Sequence, residues 1–577
     1  MKRTLIVTLA LLTNVVSAAP FIFPNAWTAA QPTTSSRGVL REGLIIDYRT
    51  FNPFTDIAAP AGGGTSGARG LFITDPTNGE VLPYMAESYR LSENKLKWSV
   101  NIRRGMKWSD GTPITATDWV TTAQIHSAPD TLSNQRDRFF IDGKPVQVTR
   151  EDDYTVVYTF PKAVANAFET LTVPPAPSHI FASVYASRGF AGLKAMWNLD
   201  ENPQNIVTAG AFKLVKYEPG NRAVFERNPY FAEWNLSGEG LGLPNLEAVE
   251  QKIYKDRATL VADYLKGQLD VLVSTNPVEV EQLQGAIRRG DLRAQLKLNA
   301  VAQNATTWLA FNWNKKSDPF KQQLFRNVNF RQAMSHLINR KRIVAEAYGG
   351  LSKPQYGALT SALGDWVAPE TEQFEYDLEA ARSLLSKIGF RTKNRDDYLV
   401  NRDERILEFE VVAPTATTVY QRVMAIILED AMKVGVKINV RYVATNAQIA
   451  LLTSTGVDRP WDAIFSAVAI NTPSAYPLNP AFYACTARLH FFNASGGCLD
   501  PLETQMMLLY ERGRQTLDLA ARKQIAYKLQ EVYAQLQPLI HISVLTSHHS
   551  WLEAVRGELS DTRSGSTRWL ELSWVQR

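Results

Sequence analysis

Strand-like segments alternate with amphipathic helical segments along most of this 577-residue chain. Residues 71–165 are rich in predicted strands, and "DDYTVVYTF" (152–160) alternates apolar and polar residues as a half-buried strand does. The second half is more helical, and one helical stripe is formed by Ile525, Leu529, Val532 and Leu536. Because a chain of this length is too long for one hydrophobic core, we expect an α/β protein with two or three domains.

Three segments give sharper local predictions. Residues 208–231 predict a β-hairpin with a Pro-Gly turn. Residues 329–348 predict one continuous helix that ends at a Gly-Gly pair. Residues 376–390 predict a helix with Asp377 as its N-cap and Gly389 just beyond its C-terminus.

The start of the chain is typical of an export signal. Residues 1–18 begin with Lys2 and Arg3, continue with an apolar run, and end in a small-x-small pattern before Ala19. The apolar run is too short for a membrane span, and a retained amphipathic anchor is the alternative. No cysteine directly follows the run. We therefore expect a periplasmic or extracytoplasmic protein that is exported by a signal peptide and is not lipid-anchored.

The charges predict no polyanionic partner. The formal net charge of +5 becomes +3 when Lys2 and Arg3 are removed, and the remaining basic residues are scattered among acidic ones. Nucleic-acid-binding proteins instead concentrate lysine and arginine in a stripe or patch. We expect a soluble monomer that binds no nucleic acid.

The two cysteines, Cys485 and Cys498, lie close together in sequence. In an oxidising compartment this spacing favours one disulfide that closes a short loop, with two buried thiols as the alternative. The chain-entropy estimate for a loop of this size is roughly 3 kcal/mol of stabilisation. Two thiols alone do not supply the four ligands of a structural zinc site.

No strong catalytic or metal-binding motif is present. The chain has no GxSxG, HExxH or CxxC pattern, and the glycine-rich segment 60–70 lacks the GK[ST] ending of a phosphate-binding loop. The best metal candidates are His541, His548, His549 and Glu553, but adjacent histidines on a strand point to opposite faces. We expect no cofactor, no metal and no enzymatic activity, with a secreted hydrolase as the alternative class.

The stretch "RRGMKWSDGTPITATDWV" (103–120) places Ser, Asp, Trp and basic residues close together. Its local chemistry is that of a strand, a turn at Ser-Asp-Gly, and a helix start. Thr115 and Asp118 have the spacing of a capping box, in which each side chain satisfies a free backbone amide of the other. We interpret the stretch as architecture rather than as a reaction centre.

This stretch also belongs to a longer pattern. Residues 79–120, "GEVLPYMAESYRLSENKLKWSVNIRRGMKWSDGTPITATDWV", resemble the signature of the extracellular solute-binding proteins of ABC transporters, in their peptide/nickel family, family 5. Residues 208–231 look like the family's "GTGPYKL…RNP-x-Y" segment, and further segments match in order down almost the full mature chain. Each piece alone is weak, and their common order makes the resemblance specific.

The resemblance implies a two-lobe periplasmic-binding-protein fold of type II, in its large three-subdomain cluster, with a hinge between the lobes. By similarity, the first lobe is 19–300, with an extra subdomain at about 66–205, and it is completed by 544–577. The second lobe is 301–543. "TTWLAFNW" and "HISVLTSH" would be the hinge crossings.

The resemblance also implies a function: capture of a solute between the lobes and its delivery to an ABC permease in the cytoplasmic membrane. Peptide-binding members often pair the peptide amine with an Asp in a second-lobe loop. The corresponding loop here, 462–477, contains no acid after Asp462. We expect a peptide-like ligand, with an oligosaccharide or another non-peptide solute as the alternative and a nickel chelate as a lesser one.

The predicted ligand contacts come from both lobes. They are the hinge aromatic Trp308, the second-lobe loop residues Ser466 and Asn471, Tyr476, and the backbone amides of Gly62, Gly63 and Gly64. Core packing is the alternative role for Trp308. A sensor or chaperone that binds solute without a permease is a further alternative.

Overall fold

Strands and helices alternate throughout the chain, so the protein is mixed α/β, as the sequence predicted. The structure is a computed structural model that describes residues 38–55, 68–74, 81–131, 133, 135–165, 167–231, 243–415, 418–454, 456, 458–469, 476, 478, 480–487, 490–557, 570–571 and 573–576. Within these residues the strands are β1 (Val39–Leu44), β2 (Phe72–Thr74), β3 (Val81–Pro83), β4 (Ala86–Leu91), β5 (Lys97–Ile102), β6 (Phe140–Ile141), β7 (Lys144–Pro145), β8 (Gln147–Asp152), β9 (Thr155–Thr159), β10 (Phe212–Glu218), β11 (Arg222–Arg227), β12 (Ala248–Ile253), β13 (Val271–Ser274), β14 (Ala294–Phe311), β15 (Thr392–Lys393), β16 (Leu399–Val400), β17 (Glu408–Pro414), β18 (Lys437–Val443), β19 (Ala463–Ala469), β20 (Leu539–Leu552), β21 (Val555–Arg556) and β22 (Trp574–Val575).

The helices lie between these strands along the chain. They are α1 (Ala116–Ser127), α2 (Ala167–Leu171), α3 (Ser178–Leu193), α4 (Arg257–Leu265), α5 (Pro277–Arg289), α6 (Pro319–Arg326), α7 (Val328–Leu337), α8 (Arg340–Glu346), α9 (Leu378–Lys387), α10 (Thr418–Val434), α11 (Thr445–Leu452), α12 (Pro480–Tyr483), α13 (Pro501–Gln515) and α14 (Leu519–Leu536).

The two largest hydrophobic cores divide the molecule into two lobes. The first core contains buried residues between 40 and 249 and again between 555 and 575. The second core contains buried residues between 308 and 542. A smaller third core, between 254 and 294, lies beside the first, where the Asp270 carboxylate accepts hydrogen bonds from the backbone N–H of Arg41 (2.7 Å) and from its guanidinium (2.8 Å).

Two long antiparallel strands, β14 and β20, connect the lobes. Their outer halves pair at residues 294–297 with 549–552, beside β13, and their inner halves pair at residues 306–310 with 539–544, beside β19. Between these halves the register shifts after Lys297 and again before Thr306. Because each shift interrupts the regular ladder and lets the strands bend, we assign the hinge to this stretch.

The sheets of the two lobes differ in topology. The first lobe holds two four-stranded sheets, with strand orders β1-β12-β11-β10 and β4-β5-β9-β8. The second lobe holds the inner part of a six-stranded sheet with the order β13-β20-β14-β19-β17-β18, in which β17 runs parallel to β18 and β19. The predicted extra subdomain, about 66–205, shares its core with residues 207–249, and the exact lobe boundaries stay a prediction.

Several local predictions are confirmed. Strands β10 and β11 form the predicted hairpin, with Phe212 paired to Arg227. Asp377 is the N-cap of α9, and its side chain accepts hydrogen bonds from the amides of Glu379 and Ala380. Gly389 lies just beyond the end of the helix, with φ +100°. Thr115 and Asp118 form the predicted capping box of α1.

The prediction of one continuous helix over 329–348 is wrong. The helix divides into α7 and α8 at Ile338, and the Asn339 side chain caps α8 by accepting from the amide of Arg342 (3.0 Å). The buried guanidinium of Arg340 donates to the Ser335 carbonyl (3.0 Å) and the Phe374 carbonyl (3.2 Å). Arg340 therefore satisfies a carbonyl that a continuous helix would have bonded internally, and the tertiary contact stabilises the break.

Candidate ligand-binding site

The carboxyl-terminal edge of the second-lobe sheet lies next to the hinge. The parallel strands β17, β18 and β19 end at Pro414, Val443 and Ala469, and Ala469 pairs with Ala305 of β14, at the inner end of the hinge stretch. In open α/β sheets, ligands bind outside the carboxyl ends of parallel strands. This edge, next to the hinge strands, is the candidate binding site.

Trp308 and Ser466 lie side by side in the sheet at this edge. They are cross-strand partners on β14 and β19, and both are buried. The indole of Trp308 is fully buried and stacks on Phe491 at 5.8 Å between ring centroids. The Trp308 Nε1–H has no hydrogen-bond partner within the described residues. Trp308 is thus part of the second core in this conformation, and Ser466 lies directly opposite it on β19.

Tyr476 belongs to the same aromatic layer, at its opposite end. Phe491, on which Trp308 stacks, lies 5.5 Å from Phe482 between ring centroids. Tyr483, the next residue, lies 6.3 Å from Tyr510, and Tyr510 lies 5.9 Å from Tyr476. Tyr476 is buried, and burial raises the pKa of its hydroxyl. The predicted site residues Gly62, Gly63, Gly64 and Asn471 lie outside the described residues.

A glycine of α13 makes room for Tyr476. The Tyr476 ring lies directly against Gly513, where a Cβ atom would be 2.8 Å from its Cε2. We expect Gly513→Ala to lower the free energy of unfolding by about 1–3 kcal/mol, because overpacking outweighs the better helix propensity of alanine. Urea denaturation would measure it, with Gly497→Ala as the control, since a Cβ at Gly497 meets no atom within 4 Å. Equal stability of the two variants would contradict this account of Tyr476.

A buried polar cluster supports the hinge strands from behind. His541 Nδ1 lies 2.7 Å from Thr306 Oγ1, and its Nε2 lies 2.9 Å from the Tyr533 hydroxyl. Burial lowers the pKa of His541 to about 3, so the ring is neutral at ordinary pH. Thr307 and Ser543 are joined by a second buried hydroxyl pair at 2.7 Å. These groups fix strand register rather than face a ligand.

The histidines that the sequence marked as possible metal ligands do not form a cluster. His548 Nδ1 accepts a hydrogen bond from the Asn299 amide at 3.1 Å, and His549 Nε2 lies 3.2 Å from the Ser547 hydroxyl. In the described part of the chain, no three His, Cys, Asp or Glu side chains are close enough to share an ion.

The predicted disulfide is present. Cys485 and Cys498 are bonded, with their Cα atoms 5.1 Å apart. Their loop inserts Phe492 against Trp313 at 4.7 Å between ring centroids, next to the stack of Phe491 on Trp308. The bridge therefore holds a loop that forms part of the second core behind the candidate site.

One contact between the lobes has no counterpart in the sequence predictions. The amide of Ala165, beside the first core, donates to the Arg514 carbonyl near the end of α13 (2.6 Å). Asp142 and Lys162 form an ion pair on the first-lobe side, and Glu511 accepts from Arg514 on the second-lobe side (3.0 Å). The two pairs are more than 300 residues apart in sequence, so no local pattern could have joined them.

Comparison with known proteins identifies the family. A family profile described as "Bacterial extracellular solute-binding proteins, family 5 Middle" matches residues 80–489, well over half of the chain. The chain belongs to this family. It is an α/β solute-binding protein of the kind that serves ABC transporters, and its family is one of binding proteins rather than enzymes. None of the helices described here is long and apolar enough to cross a bilayer.

Individual relatives agree with this assignment. A probable ABC transporter-binding protein of Deinococcus radiodurans is 36% identical over 596 residues and covers 100% of both chains. Among solved structures, the Bacillus subtilis oligopeptide-binding protein AppA, in complex with a nonapeptide, superposes with a TM-score of 0.76 at 18% identity, over 94% of this chain and 100% of that one. The Agrobacterium fabrum periplasmic binding protein MelB, in complex with stachyose, superposes with a TM-score of 0.74 at 20% identity, over 94% and 85%.

Proposed function

We propose that this solute-binding protein is exported by its first 18 residues, acts outside the cytoplasmic membrane as a monomer, and captures a peptide-like solute between its lobes. It then delivers the solute unchanged to an ABC permease. The observation that carries the proposal is the pair of hinge strands, β14 and β20, which change register between two separate cores.

Such a construction supports capture by closure. A ligand that touches both lobes favours the closed form by the difference between its affinities for the closed and open forms. The hydrogen bond from the Ala165 amide to the Arg514 carbonyl would be the end point of closure in this proposal. We propose lobe boundaries at 19–300 with 544–577 for the first lobe and 301–543 for the second.

Ligand contacts are proposed on both sides of the cleft. Ser466 and Asn471 would contact the solute from the second lobe, and Trp308 and Tyr476 are proposed as further contacts, with Trp308 opposite Ser466 in the sheet. The amides of 62–64 would contact it from the first lobe. Apolar walls with a few polar groups are the usual composition of small-molecule clefts.

The absence of acidic residues in one segment keeps an oligosaccharide as the second candidate. No Asp or Glu occurs between Asp462 and Asp500. Asp462 itself is paired with Lys315 (2.8 Å) and Lys321 (2.6 Å), so it is not available to a peptide ammonium group. A buried ammonium needs a carboxylate partner. Relatives of this fold hold a nonapeptide in one case and stachyose in another, so both ligand classes fit the architecture.

The ligand can be identified directly. We expect protein purified under native conditions and then denatured to release a bound solute that mass spectrometry identifies as a mixture of short peptides. A single oligosaccharide would support the second candidate and contradict the first. Return of the released solute to the refolded, ligand-free protein should reduce its radius of gyration in small-angle X-ray scattering. An unchanged radius with every solute, or chemical turnover of any of them, would contradict capture by closure.

A further inference from the structure

A small polar cavity lies on the second lobe, beside β20. Its lining residues are Asn339, Arg340, Lys341, Tyr356, Glu375 and Tyr376, and none of them is a predicted ligand contact. Its volume is about 240 Å³. Pockets for drug-sized ligands measure about 300–1,000 Å³, so this cavity fits a more compact solute.

The cavity is separate from the candidate site at the carboxyl edge of the sheet. Residues 351–355 run along the edge of β20 that faces away from β14, where the Gln355 amide donates to the Ile542 carbonyl (3.1 Å). Arg340 reaches this edge, since its Nε–H donates to the carbonyls of Gln355 (3.0 Å) and His541 (2.8 Å). Strands β17, β18 and β19, whose carboxyl ends form the candidate site, lie on the other side of β14. A solute in the cavity therefore contacts the second lobe alone.

The guanidinium of Arg340 lines the cavity as a buried cation. The residue is 1% exposed, and burial lowers its pKa to about 10, so it stays charged at neutral pH. Besides the two carbonyls on the β20 side, it donates to the Phe374 carbonyl (3.2 Å) and to the carbonyl (3.0 Å) and hydroxyl (2.8 Å) of Ser335. Among the described residues its acceptors are thus neutral oxygens, which satisfy its hydrogen bonds without neutralising its charge. A buried charge is stabilised by an opposite charge, so the cavity favours an anionic group.

Two further charges of opposite sign line the cavity. Lys341 Nζ and Glu375 Oε2 are 3.6 Å apart, beyond the length of a normal hydrogen bond, and both side chains are more than half exposed. Neither side chain forms another ion pair within the described part of the chain. Because exposed pairs of this kind contribute little to stability, both groups can exchange their contact for a ligand.

The two tyrosines supply the apolar part of the lining. The guanidinium carbon of Arg340 lies over the Tyr356 ring, 4.5 Å from its centroid. The Tyr376 hydroxyl donates to Asp430 (3.1 Å), and Asp430 is itself paired with Lys433 (2.8 Å), so these polar groups are already engaged. The cavity therefore offers two cations, one carboxylate and two aromatic rings.

We propose that this cavity is a second solute site and that it binds a free α-amino acid with an apolar side chain. The carboxylate of the amino acid lies between Arg340 and Lys341, its ammonium group pairs with Glu375, and its side chain lies against the tyrosine rings. Glu375 repels a simple anion and the two basic groups repel a simple cation, whereas a zwitterion has a favourable partner for each charge. The proposal goes beyond capture in the cleft and does not depend on it, since every contact comes from one lobe.

Equilibrium dialysis with radiolabelled L-phenylalanine tests the site on protein that has been unfolded and refolded free of bound solute. We expect one bound molecule per chain. Two analogues remove one charge each: 3-phenylpropanoate lacks the ammonium group, and phenethylamine lacks the carboxylate. We expect each analogue to compete about fivefold more weakly or worse, because a contact between exposed charges contributes up to about 1 kcal/mol, which corresponds to about fivefold in affinity.

Two variants assign these losses to the cavity. We expect Glu375→Gln to bind L-phenylalanine about fivefold more weakly than the parent does, and no more tightly than it binds 3-phenylpropanoate. We expect Lys341→Met to weaken both L-phenylalanine and 3-phenylpropanoate by a similar factor, because both carry the carboxylate. Lys528→Met and Glu531→Gln, which alter an exposed ion pair on α14, are the matched controls and should bind as the parent does.

Three results would overturn the proposal. The first is no binding of L-phenylalanine to the parent, and the second is equal binding of L-phenylalanine and 3-phenylpropanoate, which would indicate a site for simple anions. The third is binding that neither Lys341→Met nor Glu375→Gln weakens, which would place the amino acid outside this cavity. None of these results would contradict capture by closure, which the released solute and the radius of gyration test separately.

Discussion

Replacement of Asp118 by alanine is expected to lower the free energy of unfolding by about 3–5 kcal/mol. The buried Asp118 carboxylate accepts four hydrogen bonds: from the amides of Thr115 and Ser178 (2.8 Å each), from the Ser178 hydroxyl (2.7 Å) and from Trp108 Nε1 (3.3 Å). It thereby caps α1 and fixes the start of α3. Each donor left buried without a partner costs about 1–3 kcal/mol, part of which water would recover.

Urea denaturation of the Asp118→Ala variant would measure this loss. Asp110→Ala is the control, because Asp110 lies in the same stretch but forms a half-exposed contact with His179 (2.7 Å), and such contacts contribute about 0–1 kcal/mol. The solute recovered from folded Asp118→Ala protein should be the same as from the parent. A variant of full stability that no longer retains solute would show that Asp118 acts in binding and that our structural interpretation of 103–120 is wrong.

The local elements predicted in this stretch show which features a single sequence can predict. The capping box of Thr115 and Asp118, the Asp377 cap and the 208–231 hairpin all depend on residues within a few positions of one another. Their hydrogen bonds are set by local spacing, and therefore the residue types alone identify them. The disulfide belongs to the same group, because thirteen positions separate its cysteines.

Features that depend on distant residues were missed. The helix break at Ile338 is stabilised by hydrogen bonds from the guanidinium of Arg340 to the Phe374 and His541 carbonyls. The apolar periodicity of 329–348 cannot indicate these two distant partners. Helix propensity is a weak guide wherever a buried charge gains such tertiary partners. The contact between Ala165 and Arg514 is a stronger case, since these two residues meet only because the chain folds into two lobes.

The candidate site was predicted only in part from the sequence. The family resemblance indicated segments of β14 and β20 as the crossings between the lobes and indicated the second-lobe segment that contains Ser466. In the structure β14 pairs with both β19 and β20. Whether Trp308 faces the cleft or the core could not be read from its own strand, where both faces are apolar. Trp308 lies in the core because it stacks on Phe491, a residue of the disulfide loop that is distant from it in sequence.

Acid is expected to destabilise the protein steeply through two buried histidines. Burial lowers the pKa of His126 and of His541 to about 3 each, whereas an unfolded histidine titrates near 6.5. Between these values the unfolded state binds one more proton per histidine than the folded state. The free energy of unfolding should therefore fall by about 1.4 kcal/mol per histidine for each pH unit below about 6.5. Buried carboxyl groups with raised pKa values, such as Asp118, act in the opposite direction.

His126→Phe isolates one of these two contributions. The His126 ring stacks on Phe139 (5.6 Å between centroids), and its Nδ1 has no hydrogen-bond partner within the described residues, so phenylalanine preserves the stacking and removes the titration. Free energies of unfolding from urea melts at pH 8, 6, 5 and 4 should give a pH slope smaller than that of the parent by about 1.4 kcal/mol per unit. At pH 8 His126 and His541 are neutral in the folded and the unfolded state. The difference in free energy of unfolding between variant and parent at this pH therefore reports the difference in packing alone. Equal pH slopes for the two proteins would contradict this prediction. They would mean that His126 takes up its proton in the folded protein despite its burial between Phe54 and Phe139.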